Sequence, residues 1–325
     1  MISQDTTLMN EWHPVLLSSA LGDKPEAVML LGEKLAVFRT SKGVHAFKDL
    51  CIHRGVPLSL GKMKDDELVC AYHGWSYNGC GACTRIPSLP KHQAIPSKAK
   101  AQVYSCVEAN GLIWVCLGTP SRPLPPVCGF IPEGFKEVFM GPYILQAAGP
   151  RVVENFLDVS HLMFVHEGLL GDADYAEIDD YRVMEEEGVL RTEEIVVFQP
   201  DADGTGRGVN SRYVYEVYGP LCVGLTKTDD RSDHIFRLFL MVLPVTESQS
   251  VAYMLKQRNY AYDELDEVFI RFQDTLIEQD RVMVENQKPE LLPLDLQAEL
   301  HLKADRLSIA YRKRLREWGV TFGTA

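Results

Sequence analysis

The sequence predicts an α+β protein of two domains, an all-β N-terminal domain followed by a larger domain built on an antiparallel sheet with helices. Three observations carry this. The first 120 residues alternate short apolar runs with turn residues and show no long helical period. The stretch "GTPSRPLPPVCGFIPEG" holds Pro120, Pro123, Pro125, Pro126 and Pro132, a density that continues neither a sheet nor a helix, so it marks a boundary. Beyond it, strand patterns are bracketed by helical ones without the regular alternation of a parallel sheet. The domains are therefore expected at residues 1–125 and 126–325.

In chain order, "AVMLL", then Gly32 and Glu33, "KLAVFRT", then Ser41 to Gly43, and "VHAFKDL" read as strand, turn, strand, turn, strand. "GLIWVCLG" near residue 115 reads as a buried strand. "ENFLDVSHLMFVHEG" reads as helical, with polar residues three apart. Residues 178–260 return to strands: "YRVMEEE", "VLRTEEIVVF", "RYVYEVYG", "HIFRLFLMVLPV" and "SVAYMLKQRN". A long helix is expected from roughly Asp263 to Glu285, and a last one near Asp305 to Trp318.

The 325 residues suit two cores better than one. The net charge of −12 argues against a nucleic-acid partner, whose phosphates require a basic face. The N-terminus "MISQDTTLMNEWHP" lacks the basic and apolar regions of a signal peptide, and no run of about 18 apolar residues suggests a membrane span. Eight cysteines in such a chain are expected as reduced thiols or metal ligands, and the location as cytoplasmic.

Two constellations carry chemistry. In the first, Cys51-x-His53 is followed after sixteen residues by Cys70-x2-His73. Each short loop gives one thiolate and one imidazole, whereas structural zinc sites group a Cys pair and then a His pair. The spacing suits a [2Fe–2S] cluster with the thiolates on one iron and the imidazoles on the other. Neutral ligands leave such a cluster less negative, at about −150 to +300 mV against about −400 mV for all-Cys clusters. Gly55 and Gly74 follow, and let the backbone turn tightly so that its N–H groups face the sulfurs. Cys80 and Cys83, just downstream, have no second Cys pair and read as a turn with two free thiols.

In the second, "ENFLDVSHLMFVH" supplies Asn155, Asp158, His161 and His166. Residues 155, 158 and 161 would share one helix face. His166 would sit about 140° further round an ideal helix, so both histidines reach one ion only if the helix distorts or ends between them. Two His and one carboxylate with open positions form the facial triad of non-heme Fe(II) oxygenases.

"CIHRGVPLSLG…CAYHGWSYNGCG" resembles the Rieske domain of the Rieske non-heme iron oxygenases more than that of respiratory bc complexes, which carry an extra Cys in each loop. Asn-x2-Asp-x2-His-x4-His resembles the same family's catalytic-iron motif. "DVSHLMFVHEGLLGD" and "DRLSIAYRKRLREWGVTFG" narrow the resemblance to a short-chain branch with the vanillate and dicamba demethylases, toluenesulfonate methyl-monooxygenase and the saxitoxin-pathway hydroxylases, and the sequence most resembles the last of these. The resemblance implies a terminal oxygenase (alpha) subunit with an all-β Rieske domain and a helix-grip, START-like catalytic domain. It implies that Cys51, His53, Cys70 and His73 hold the cluster, and that His161, His166 and an acid from the distal helix hold a mononuclear Fe(II). "DRVMVENQKP" makes Asp280 that acid, among Asp274, Glu278 and Glu285. Asp158 would bridge His161 to a cluster histidine, His73, of a neighbouring subunit in a homotrimer, and Asn155 would line the site.

The only glycine run resembling a dinucleotide fingerprint, "GTGRG" at 204–208, opens no helix, so electrons are expected from a separate NAD(P)H-dependent reductase or a ferredoxin. The expected reaction is O2-dependent hydroxylation or oxidative demethylation of a small organic substrate. Ring cis-dihydroxylation is the alternative within the family, and a pure electron carrier the alternative outside it. The aromatics Tyr213, Tyr215, Tyr218, Phe236, Phe239 and Tyr253, with Met241, read as strand-borne core, and none is singled out as a substrate contact.

Overall fold

The computed structural model describes residues 3–125, 132–200 and 208–325. The chain separates into two compact units, Met1–Leu124 and Pro125–Ala325. Residues 126–131 of the Pro-rich stretch, and residues 204–207 of the GTGRG sequence, lie outside the described residues.

The first unit opens with a short helix, α1 (Thr6–Met9), capped by the Asp5 side chain. Ten strands follow among its described residues: β1 (His13–Leu17), β2 (Glu26–Leu30), β3 (Glu33–Thr40), β4 (Gly43–Lys48), β5 (Lys62–Lys64), β6 (Glu67–Val69), β7 (Ser76–Tyr77), β8 (Cys83–Arg85), β9 (Val103–Ala109) and β10 (Leu112–Cys116). They form a six-stranded antiparallel sheet in the order β1-β10-β9-β4-β3-β2 and a four-stranded one in the order β5-β6-β7-β8. The unbroken apolar run of β10 is buried at every position. Asn110 and Gly111 both take positive φ, 46° and 67°, which gives the β9–β10 hairpin the tight two-residue turn that matches the strand twist. Phe38, Phe47, Leu58, Leu68 and Tyr77 form a core that also encloses Cys51 and Cys70.

The second unit contains β11 (Lys136–Leu145), β12 (Val183–Glu186), β13 (Val189–Thr192), β14 (Ile195–Gln199), β15 (Val209–Gly219), β16 (Cys222–Asp229), β17 (Phe236–Thr246) and β18 (Gln249–Arg258). They build one antiparallel sheet, β11-β18-β17-β16-β15-β13-β12, with β14 also paired to β15. Its helices are α2 (Gly149–Leu157), α3 (Asp266–Val284) and α4 (Arg306–Trp318). Helix α3 packs beside β11, where the Tyr143 hydroxyl donates to Asp274 at 2.7 Å, and turns Leu276, Ile277 and Val284 inward. Asp266 and Glu267 occupy its first turn, and Arg281 its last, as the helix dipole favours. A long helix held against an antiparallel sheet fulfils the expected α+β class. No helix among the described residues is long and apolar enough to cross a membrane.

One expectation is corrected. The polar-spaced stretch from residue 154 is not one helix. Helix α2 begins earlier, at Gly149 with Pro150 in its first turn, and ends at Leu157. Asp158 is its C-cap, with extended backbone at φ −81° and ψ 117°. His161 then lies on a separate single turn over Ser160–Met163. Asn155, Asp158 and His161 therefore do not share a helix face. Asp158 accepts the Ser160 N–H at 2.8 Å, and this local bond competes with helix continuation.

Helix α2 is anchored by a buried ionic network. Arg312 of α4 donates to both oxygens of Glu154, Nε at 2.5 Å and Nη2 at 2.8 Å, and to the Pro293 carbonyl at 3.1 Å. Arg151 donates to Glu299 at 3.0 Å and to the Pro289 carbonyl at 2.9 Å. Burial pushes the Glu154 carboxyl up despite these two cations.

Candidate active site

In the first unit, two matching loops present Cys51, His53, Cys70 and His73. Cys51 N–H donates to the Val56 carbonyl at 2.8 Å, and Gly55 N–H to the Cys51 carbonyl at 2.9 Å. The second loop repeats this: Cys70 N–H to Trp75 at 2.9 Å, Gly74 N–H to Cys70 at 3.1 Å. Gly55 and Gly74 take φ of 72° and 67°, which the loop closure requires and a side chain would strain. The thiols are buried, Cys51 at 2% and Cys70 at 3% exposure, while His53 is half-buried and His73 exposed. The two Nδ1 atoms approach to 3.1 Å. His53 stacks on Trp75 at 4.6 Å, and the Tyr77 hydroxyl lies 3.2 Å from Cys51 Sγ. Two buried thiols beside two converging, more exposed imidazoles fit the donor set that a [2Fe–2S] cluster of this kind would need. Cys83 lies buried in β8 and Cys80 is exposed; neither joins this set.

In the second unit, His161, His166 and Asp280 converge, with ligand atoms all within 4.8 Å of one another. Asp280 Oδ1 lies 3.5 Å from His161 Nε2 and 3.2 Å from His166 Nε2. His166 is 2% exposed, and its Nδ1 lies 2.7 Å from Gln279 Oε1. An amide oxygen only accepts, so Nδ1 carries the proton and the Nε2 lone pair faces Asp280. His161 Nδ1 lies 3.7 Å from Asp158 Oδ2, an ion-pair distance. Burial disfavours the charged ring of His161, but Asp158 and Asp280 outweigh it and hold its pKa above the usual imidazole value. Burial likewise opposes ionisation of Asp158, and His161 and Ser160 outweigh it, so that carboxyl lies below its ordinary range. Two histidines and a carboxylate converging with a second carboxylate behind them are short of positive charge, which a divalent iron supplies.

Asn155 Nδ2 donates to Asp280 Oδ1 at 3.4 Å. The other acids considered for the third ligand are engaged elsewhere: Asp274 by Tyr143, Glu278 by Arg281, and Glu285 by the Gln146 N–H. Gln279 was not legible as functional, and its one signal was its place beside Asp280. Tyr77 and Trp75 carried no signal beyond being aromatic near the second loop.

His161, His166 and Asp280 lie on the wall of a cavity of ≈ 960 Å³ bounded by α2, α3 and strands β15 to β18. Tyr213, Tyr215 and Phe236 line it, whereas Phe239, Met241 and Tyr253 are buried outside its lining. The alternation of strand side chains divides the aromatics between two faces.

Residues 11–103 match the Rieske [2Fe-2S] domain family, and residues 145–321 match the Vanillate O-demethylase oxygenase C-terminal domain family. The chain is 32% identical over 321 residues to methylxanthine N1-demethylase NdmA of Pseudomonas putida, covering 95% of this chain and 89% of that one. It superposes on the structure of Pseudomonas putida CBB5 NdmA with a TM-score of 0.83 at 31% identity, over 96% and 90% of the two chains. Dicamba monooxygenase bound to dicamba shares the fold, with a TM-score of 0.79 at 21% identity over 97% of this chain and 98% of that one.

Proposed function

The chain belongs to the Rieske non-heme iron oxygenases as an alpha subunit, an oxidoreductase, and on that footing we propose that it is the terminal oxygenase of a multicomponent system that oxidatively demethylates a small organic substrate. The observation that carries this is the convergence of His161 Nε2, His166 Nε2 and Asp280 Oδ1 on the wall of a large, mainly hydrophobic cavity. The similarity to a methylxanthine N1-demethylase and to the vanillate O-demethylase domain supports a methyl group on nitrogen or oxygen as the target.

Cys51, His53, Cys70 and His73 would hold the [2Fe–2S] cluster, and His161, His166 and Asp280 the mononuclear iron. When bound, these groups supply one-electron storage and dioxygen activation. The chain's own residues do the rest. Gln279 fixes the His166 tautomer, and Asn155 holds the Asp280 carboxylate. Asp158 faces the outer nitrogen of His161 and can accept its proton. The cavity offers the substrate a mainly apolar wall. In the net reaction, the methyl carbon, O2, two electrons from an external reductant and two protons give formaldehyde, water and the demethylated N–H or O–H product.

Asp158 keeps 35% side-chain exposure and His73 is exposed, which leaves both available to another protein surface. This supports an assembly, proposed as a homotrimer, in which Asp158 of one subunit meets His73 of the next. The electron donor is a separate NAD(P)H-dependent reductase or ferredoxin. Cys80, Cys83, Cys106 and Cys116 are thiols outside any disulfide, which supports a cytoplasmic setting.

The test is turnover of the iron-loaded protein with a reductase, NADH and a panel of aryl O-methyl and N-methyl compounds, with formaldehyde assay and mass spectrometry. Loss of methyl that requires O2 and disappears in His161→Ala supports the reading. Turnover unchanged in His161→Ala overturns it.

A further inference from the structure

Lys256 is an unusual residue for the cavity wall. It stands on β18 after Ala252 and Met254, on the same sheet face, and is 7% exposed. Its Nζ lies 4.0 Å from the centre of the Phe269 ring and 4.6 Å from that of Phe236. Among the described residues no carboxylate comes within ion-pair distance of it.

Its charged neighbours make this worse. Arg258, two residues on and fully buried, has Nε and Nη1 without a hydrogen-bond partner; only Nη2 is engaged, with Ala261 O at 3.4 Å and Asp266 at 3.5 Å. Lys227 lines the same cavity from β16. Of the acids on the cavity wall, Asp229 is occupied by the Arg231 N–H, the Ser232 N–H and the Ser232 hydroxyl, at 2.8, 2.8 and 2.7 Å, and Glu264 is solvent-exposed. Asp280 belongs to the triad. A buried ammonium without a counter-ion is costly, and Met or Leu would fill the same wall at no such cost. Burial, and then the charges of Arg258 and Lys227, bring the Lys256 ammonium down to about 7. An anion arriving in the cavity would reverse that imbalance.

We propose that the substrate is an aromatic carboxylate or similar organic anion, anchored through its charged group by Lys256 Nζ, with its ring against Phe236 and Phe269. This rests on the proposed demethylase reading, which it deepens by naming the substrate class. Lys256 then acts as a specificity determinant, holding the anionic end of the substrate within the cavity that also contains the triad.

The test is equilibrium binding by titration calorimetry to the holoenzyme without reductase, so that no turnover is needed. The probes are para-methoxybenzoate and para-methoxyphenylpropanoate, each against its primary amide. The carboxylates are expected to bind roughly 10- to 100-fold more tightly than the amides, the range of one charge-assisted hydrogen bond. Lys256→Met should abolish that preference with amide affinity, cluster spectrum and iron content unchanged, and Lys256→Arg should retain it. Equal affinity for acid and amide, no binding of any carboxylate, or a preference that survives in Lys256→Met overturns the proposal. With reductase and NADH then added in a second step, a preserved binding preference without demethylation of either carboxylate counts against the demethylase reading and leaves the anion site standing.

Discussion

Replacing Gln279 by Leu tests the proposed metal site of the second unit most directly. The perturbation removes the acceptor of the 2.7 Å hydrogen bond from His166 Nδ1, on a ring that is 2% exposed. The N–H is then left buried without its acceptor. A neutral hydrogen bond contributes about 1 kcal/mol net, and an unsatisfied buried donor costs about 1–3 kcal/mol. The ring would also be free to change tautomer and turn its protonated nitrogen towards the metal position. A loss of about 1.5–3 kcal/mol corresponds to roughly 10- to 100-fold in iron affinity, the range that partners behind metal-bound histidines ordinarily show. The assay is Fe(II) titration against a competing chelator, with the visible absorbance of the cluster as an internal control for folding. Gln279→Glu keeps an acceptor and should restore most of the affinity. If the Leu variant binds iron as tightly as the parent, Gln279 does not orient His166 and this account of the site fails.

Other consequences follow from features of each unit. Arg312→Leu leaves Glu154 buried with only Arg151 nearby, at 3.6 Å, and should cost about 3–5 kcal/mol, lowering the melting temperature by about 10 °C in calorimetry; an unmoved transition would mean the network is not structural. Burial outweighs the Leu8 carbonyl and Asp5 and brings His13 down from 6.5 to about 4, so the unfolded chain takes up its proton first as pH falls. This contribution to stability is complete above pH 6.5 and is lost towards pH 4, by roughly 3 kcal/mol. Urea unfolding across that window should show the slope in the parent and a shallower one in His13→Phe; equal slopes refute it. Tyr77→Phe removes the hydroxyl 3.2 Å from Cys51 Sγ and should lower the cluster potential by about 40–60 mV in a redox titration, because that hydrogen bond favours the more negative, reduced state. A potential that stays put would show that the hydroxyl does not donate to the sulfur.

The parts of this protein that were legible in its sequence are those where chemistry restricts the choice of residue. Cys51, His53, Cys70 and His73 stand out because few arrangements need thiolate and imidazole in alternation. Gly55 and Gly74 stand out because the loops need positive φ. His161, His166 and Asp280 were legible as a set only beside that first motif, since histidines and acids on a helix are commonplace. The break at Asp158 was not legible, because a side-chain bond to the Ser160 N–H decides it and periodicity does not register such a bond. The short strands β5 to β8 escaped for the opposite reason: two or three residues carry too little alternation to detect. Which strand aromatics face the cavity depended on the pairing of distant strands. Lys256 was hidden in the same way, as one lysine among many until the sheet turned it inward.

Gln279 and Asp280 sit side by side on α3, while both of their histidine partners come from the segment that follows α2. An ion held by this set therefore acts as a clasp between two stretches of chain more than a hundred residues apart in sequence. Release of α3 would dismantle the clasp, and an empty clasp would loosen α3, so metal occupancy and helix docking are thermodynamically linked. Iron scarcity would then shorten the survival of the polypeptide as well as silence its chemistry.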